Sequence, residues 1–251
     1  MIISHKNKYL FVEIPHTGST AISHELRANY DGEKILRKHS FYSDFLKIAS
    51  PEEQKYFVFA GIRNPADEAV TRYFRLKMLY QRESTHPKKR SEIGNLLGVN
   101  ETGLPAGDYQ EGMDFETFFM KHYRVPYNNF SSLIRDRSDF LLRFENLQED
   151  FAELLQRLGL EPKRPLPVRN TTQGRNKDFW SYYSPAMIPR AKRVFGPFMQ
   201  QWGYEFPAAW TAYSPTWWSK VEYELFNRFR NFKWKMSKSM TRPNGHANPL
   251  R

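Results

Sequence analysis

Two segments carry the residues of this chain best suited to chemistry. Residues 8–20, KYLFVEIPHTGST, are an apolar run ending in a turn of hydroxyl residues and glycine. Residues 56–73, YFVFAGIRNPADEAVTRY, are a second apolar run ending in Arg63-Asn64-Pro65 and passing into a helical pattern. A strand, a tight turn and a helix start aim backbone N–H groups and the positive end of a helix dipole at an anion. In the first turn, Thr17, Gly18, Ser19 and Thr20 fit a phosphate cradle: glycine admits close backbone approach and the hydroxyls donate. An ordinary N-cap turn has the same local composition, because Ser and Thr are preferred caps. In the second, Arg63 suits a bidentate phosphate contact, and Thr71 supplies a hydroxyl on the helix that follows. Two such turns on neighbouring strands would hold one ligand with phosphates at two places. The pattern GxxxxGK[ST] is absent, so this is not a Walker A loop.

The two turns together resemble sulfotransferases that use 3′-phosphoadenosine 5′-phosphosulfate (PAPS). Their 5′-phosphosulfate loop usually reads Lys-Thr-Gly-Gly/Ser-Thr after a strand, and here it reads His16-Thr17-Gly18-Ser19-Thr20. Their 3′-phosphate motif is an Arg after a strand and a Ser eight residues on; here these are Arg63 and Thr71. A third match is LLRFENLQEDFAELLQRLGL at 141–160. A fourth is Asn170-Thr171-Thr172, then Tyr182-Tyr183-Ser184-Pro185 and a helix closing in Trp202-Gly203-Tyr204. The likeness runs over about residues 8–205 and is strongest to carbohydrate sulfotransferases, particularly uronosyl 2-O-sulfotransferases. It implies a P-loop-like parallel sheet flanked by helices, PAPS as co-substrate, and metal-independent, in-line transfer of a sulfuryl group to a carbohydrate hydroxyl.

The resemblance also distributes roles. His16 stands where the family has the lysine that meets the bridging oxygen of the leaving group. Histidine is shorter and only partly charged near neutrality, and two phosphates beside it would favour the imidazolium. His39, in Lys38-His39-Ser40-Phe41, lies in the segment that supplies a catalytic histidine in 2-O-sulfotransferases, where a neutral imidazole serves as general base. Arg175 and Lys177, in the loop after Asn170, fit either a closure over the nucleotide phosphates or a plain basic loop. Arg72 and Arg75 read as solvated positions of a helix.

The elements that must position these residues follow from apolar patterning. Lys8–Ile14, Tyr56–Ile62 and Phe140–Phe144 are near-continuous apolar runs, as in strands buried on both faces. Helical periods follow over 20–30, from Pro65 to about Tyr80, over 115–123, 146–158 and 185–202, and over 216–236. Alternating strands and helices predict one α/β domain with a parallel sheet. The expected division is a domain over 1–210, with a polar insert at 81–113 that reads as an acceptor lid or a plain insertion. A basic aromatic helix and tail follow over 211–251.

Composition bounds the function. The chain has 251 residues, 40% hydrophobic and 16% aromatic, enough for a sizeable core and outside the disordered class. A net charge of +11 favours an anionic partner. The expected partners are a nucleotide donor and a glycan or other hydroxylated acceptor; nucleic acid is not expected. There is no cysteine, which excludes disulfides and thiolate nucleophiles. No run reaches the ~20 apolar residues of a membrane span, and a cytoplasmic location is expected. Two other classes stay open: a P-loop nucleotide kinase, opposed by the missing GK[ST], and a non-catalytic polyanion-binding protein, which His16 and the +11 charge keep open.

Overall fold

The computed structural model describes residues 1–85, 109–167, 172 and 174–240. Five strands form one sheet: β1 (Ile2–Ser4), β2 (Tyr9–Val12), β3 (Glu33–Lys34), β4 (Phe57–Ile62) and β5 (Phe140–Arg143), in the order β3-β1-β2-β4-β5. The chain is a single α/β domain, and its sheet is mixed. Only β2, β4 and β5 run parallel, in register Phe11 to Phe59 and Phe59 to Phe140. This corrects the all-parallel expectation. β1 precedes β2 by four residues, too short for a crossover, so the two pair as an antiparallel hairpin, and β3 adds antiparallel to β1.

Alternation along the strands divides the core. Tyr9, Phe11, Phe59 and Leu142 face α1 (Ser19–Asn29) and the helix Leu147–Arg157. Leu10, Val12, Val58 and Ala60 face α2 (Tyr42–Phe45) and the turn around Ile134. With both faces covered, β2 and β4 have to be apolar on successive residues, which is why their sequences are runs and not alternations.

A third cluster packs α3 (Pro65–Thr85), α4 (Phe115–His122) and α6 (Ile188–Trp202) together beside Ile62 of β4, while α5 (Leu147–Arg157) lies apart from it, on the sheet. Of these, α3, α4 and α6 meet through Val70, Tyr73, Phe118, Phe119 and Phe195, all buried. α3 extends past the expected end near Tyr80, and Tyr109 and Met113 are core residues, so the expected insert is shorter at both ends. Residues 86–108 lie outside the described residues. α7 (Trp217–Met240) closes the chain's described part.

β2 sits where the connections part. From β2 the chain passes through α1 to β3 at one edge, then returns to β4 on the other side of β2. Loops leaving β2 and β4 at their carboxyl ends therefore diverge. In an open α/β sheet, that divergence opens a crevice that binds ligands.

Candidate functional site

The turn after β2 builds the first half of the site. His16 and Gly18 both have left-handed backbone, φ 65° and 76°. Gly18 is the N-cap of α1, and no side chain caps that helix. Thr17, fully buried, donates its hydroxyl back to the Ile14 carbonyl (2.9 Å), which pins the turn instead of capping it. The first-turn N–H groups of α1 thus lack a side-chain acceptor among the described residues, and its first turn holds no acidic residue. Lys38 adds a cation at this end, its Nζ 2.8 Å from Thr20 Oγ1.

Packing holds the turn in place. A methyl group on Gly61 of β4 would lie 2.5 Å from Thr17 Oγ1 and 2.9 Å from the Thr17 carbonyl, so β4 needs glycine for the turn to lie against it. Gly61→Ala is expected to lower stability by about 1–3 kcal/mol, because backbone on the facing side has to move. A urea unfolding midpoint equal to that of the native chain would contradict this close approach.

The turn after β4 builds the second half and is joined directly to the first. Arg63 Nη1 donates to the His16 carbonyl (3.1 Å), its Nη2 to Thr71 Oγ1 (2.7 Å), and its Nε to Asp67 Oδ2 (2.7 Å). The guanidinium lies over the Phe144 ring, 3.9 Å from its centroid. Arg63 and Thr71, the two residues expected to hold one phosphate, therefore meet. Arg175 joins them, donating to Thr71 Oγ1 and pairing with Asp67 Oδ1 at 2.5 Å. Lys177 is exposed.

The segment 144–147 contributes support. Phe144 underlies Arg63, and Leu147 Cδ2 lies 2.7 Å from where a Gly18 methyl would be. Arg143 donates to the Trp202 carbonyl (2.8 Å) and lies over Tyr204, which links the third sequence match to the fourth. Asn170 and Thr171 lie outside the described residues.

The sequence reading missed four residues. Asp67, 2% exposed, sits between Arg63 and Arg175 and takes up one of their two charges. Its position four residues after Arg63 on a helix was the available signal. Arg75 and Arg72 are not solvated helix positions. Arg75 Nη1 lies 2.8 Å from His16 Nδ1. Arg72 is turned inward; burial opposes its charge, but the neighbouring Tyr123 and Glu68 raise its pKa overall. Glu68 is itself buried and accepts from the Tyr127 hydroxyl.

These neighbours decide the state of His16. Burial, then Arg75, Arg72 and Arg63, push its pKa well below the ordinary 6.5, so the ring is neutral at neutral pH. This revises the imidazolium expected beside bound phosphates: the site by itself holds a neutral ring. A guanidinium only donates, so Nδ1 accepts from Arg75 and the proton sits on Nε2. Nε2 is buried with no partner among the described residues. It is a hydrogen-bond donor that lacks an acceptor.

His39 has the complementary arrangement. It is 7% exposed, in left-handed backbone (φ 60°), with Nδ1 2.8 Å from the Glu13 carbonyl. A carbonyl only accepts, so Nδ1 carries the proton and Nε2 of the neutral ring carries the lone pair. His39 lies close enough to His16 to act on its charge. It borders a shallow cleft lined by Ile14, Ser40, Phe41 and Phe130. Left-handed backbone at non-glycine residues persists where surrounding structure enforces it, commonly at functional sites.

No protein-family model, curated protein or solved structure matches this chain significantly.

Proposed function

We propose that the chain is a P-loop-like, PAPS-dependent sulfotransferase acting on a hydroxyl, with a carbohydrate as the acceptor class. One observation carries the reading: Arg63 bonds the His16 carbonyl, so an anion cradle and a two-arginine clamp meet at the ends of adjacent parallel strands. A nucleotide with phosphate groups at its 5′ and 3′ ends matches that spacing of charge. The unpartnered His16 Nε2–H supplies a donor for the group bound in the cradle.

In this mechanism the residues divide the work of an in-line transfer. The 17–20 turn and the α1 dipole bind the phosphosulfate end. Arg175, Arg63 and Thr71 hold the 3′ phosphate, with Asp67 keeping the guanidinium groups aligned. His39 Nε2 accepts the proton of the acceptor hydroxyl as its oxygen bonds to sulfur. As the sulfur–oxygen bond of the anhydride breaks, His16 Nε2–H donates to the departing phosphate oxygen. Catalysis rests on positioning and preorganised charge, as in phosphoryl transfer.

Calorimetry tests the donor class. Adenosine 3′,5′-bisphosphate (PAP) is expected to bind at least about tenfold more tightly than ATP with magnesium. Preference for ATP with magnesium would indicate a kinase, and binding of neither a polyanion module.

A pH series tests the state of His16. Its folded pKa is depressed, so the unfolded chain binds a proton that the folded chain does not. Its contribution to stability is complete above 6.5 and is lost as pH falls below that value. His16→Gln should flatten the stability profile between about pH 5 and 6.5 while the native chain loses stability. With His16 neutral, turnover should show no fall near neutrality that depends on this residue. A decline in turnover above about pH 6.5 that disappears in His16→Gln would restore an imidazolium role.

A further inference from the structure

Over residues 217–232 the helix α7 meets the body along one side. Tyr223 and Asn227 are buried there, the Tyr223 hydroxyl donates to Gln201 of α6 (2.9 Å), and Asn231 accepts from Ser132 (3.1 Å). The opposite side carries Trp218, Leu225, Phe229 and Phe232, spaced i, i+7, i+11 and i+14, which is one helical stripe. Their exposures are 71%, 62%, 65% and 63%, and the adjoining Trp217 is 66% exposed. Single exposed apolar residues are ordinary, but large ones aligned on a convex helix surface mark a contact with something else.

Charge selects the partner. From Phe226 to Met240 the sequence has Arg228, Arg230, Lys233, Lys235 and Lys238 and no acidic residue. Arg228 is exposed, whereas Arg230 turns toward Phe226. The helix has two acids, Glu222, which pairs with Arg193, and Glu224. The whole chain carries +11. A second copy meeting this stripe across a two-fold axis would bring the same cations against one another. A glycan would require several hydrogen-bonding groups, and in the stripe only the Trp218 indole has a polar atom, a single N–H donor. An anionic lipid surface supplies both an apolar layer and phosphate charge.

We propose that α7 docks this protein onto anionic membranes, lying in the plane of the interface. Trp217, Trp218, Leu225, Phe229 and Phe232 enter the boundary between headgroups and acyl chains, and the basic residues meet the headgroup phosphates. The helix lies on the membrane and does not cross it: no helix among the described residues is long and apolar enough to span a bilayer.

The test is sedimentation of the full chain with phosphatidylcholine vesicles, with and without about one-third phosphatidylserine. The chain should pellet with the anionic vesicles, release as salt rises, and leave neutral vesicles largely unbound. Replacing Trp218, Leu225, Phe229 and Phe232 together by Ser should weaken binding by on the order of 10²-fold. Its circular dichroism should match the native spectrum, because all four side chains are exposed. Independently of any variant, brominated lipid should quench tryptophan fluorescence of the native chain. Absence of binding to anionic vesicles, absence of quenching, or binding unchanged in the Ser variant would each overturn the proposal. A mass of two chains that the variant reduces to one, without vesicle binding, would make a second copy the occupant.

Discussion

Replacing His39 by alanine is expected to lower turnover by ~10²–10⁴-fold, the range for losing a general base, while PAP affinity stays nearly unchanged. The expectation rests on tautomer as much as on location. The Glu13 carbonyl holds the proton on Nδ1, so the other ring nitrogen carries the lone pair. Backbone strain complicates an alanine variant, because φ at this position is 60°. His39→Asn separates the two effects. Asparagine tolerates left-handed backbone and has an amide to donate to Glu13, but has no basic nitrogen. It should keep the native unfolding midpoint and lose turnover as alanine does. An asparagine variant with more than about a tenth of native turnover would pass the role of base to another group.

Arg63→Ala is expected to cost about 3 kcal/mol of stability and to abolish measurable PAP binding, whereas Arg175→Ala should affect binding far more than folding. Arg63 is 5% exposed and ties together the His16 carbonyl, Thr71 and Asp67, so its removal unties both turns and leaves Asp67 buried with one cation fewer. Arg175 lies at the outer side of the same cluster, 16% exposed at its side chain. Losing it should weaken PAP by about 1.5–3 kcal/mol, the scale of a charge-assisted hydrogen bond, and adenosine 5′-phosphosulfate much less, since that nucleotide lacks the 3′ phosphate. Urea unfolding and calorimetry on both variants read the two quantities separately. Equal loss of the two nucleotides in Arg175→Ala would remove the clamp from the mechanism.

Much of the scaffold was legible in the chain itself. Apolar runs at 9–12 and 57–62 announce strands covered on both faces, because burial on two sides leaves no position for a polar residue. Gly18 and the hydroxyls around it announce a turn into a helix, and the resemblance to a phosphate-binding motif pairs Arg63 with Thr71, which the fold brings into contact. The strands and the turn are short-range consequences of residue type, and sequence spacing is enough to state them. The β1–β2 hairpin was not legible: Ile2–Ser4 is too short a run to separate from an N-terminal lead-in, so the sheet was expected to be wholly parallel.

What only the tertiary structure decided is the electrostatics. Period alone puts Arg72 and Arg75 on a helix but does not say what that helix packs against; packing turns them toward His16 and makes that ring neutral. Asp67 lies in plain view in the sequence, but its work of joining Arg63 to Arg175 spans more than a hundred residues. The same holds for the opposite tautomers of His16 and His39, each set by a partner on a different element. Local structure depends on neighbours along the chain. Charge, proton position and burial depend on neighbours in space, and those exist only once the sheet has brought the ends of β2 and β4 together.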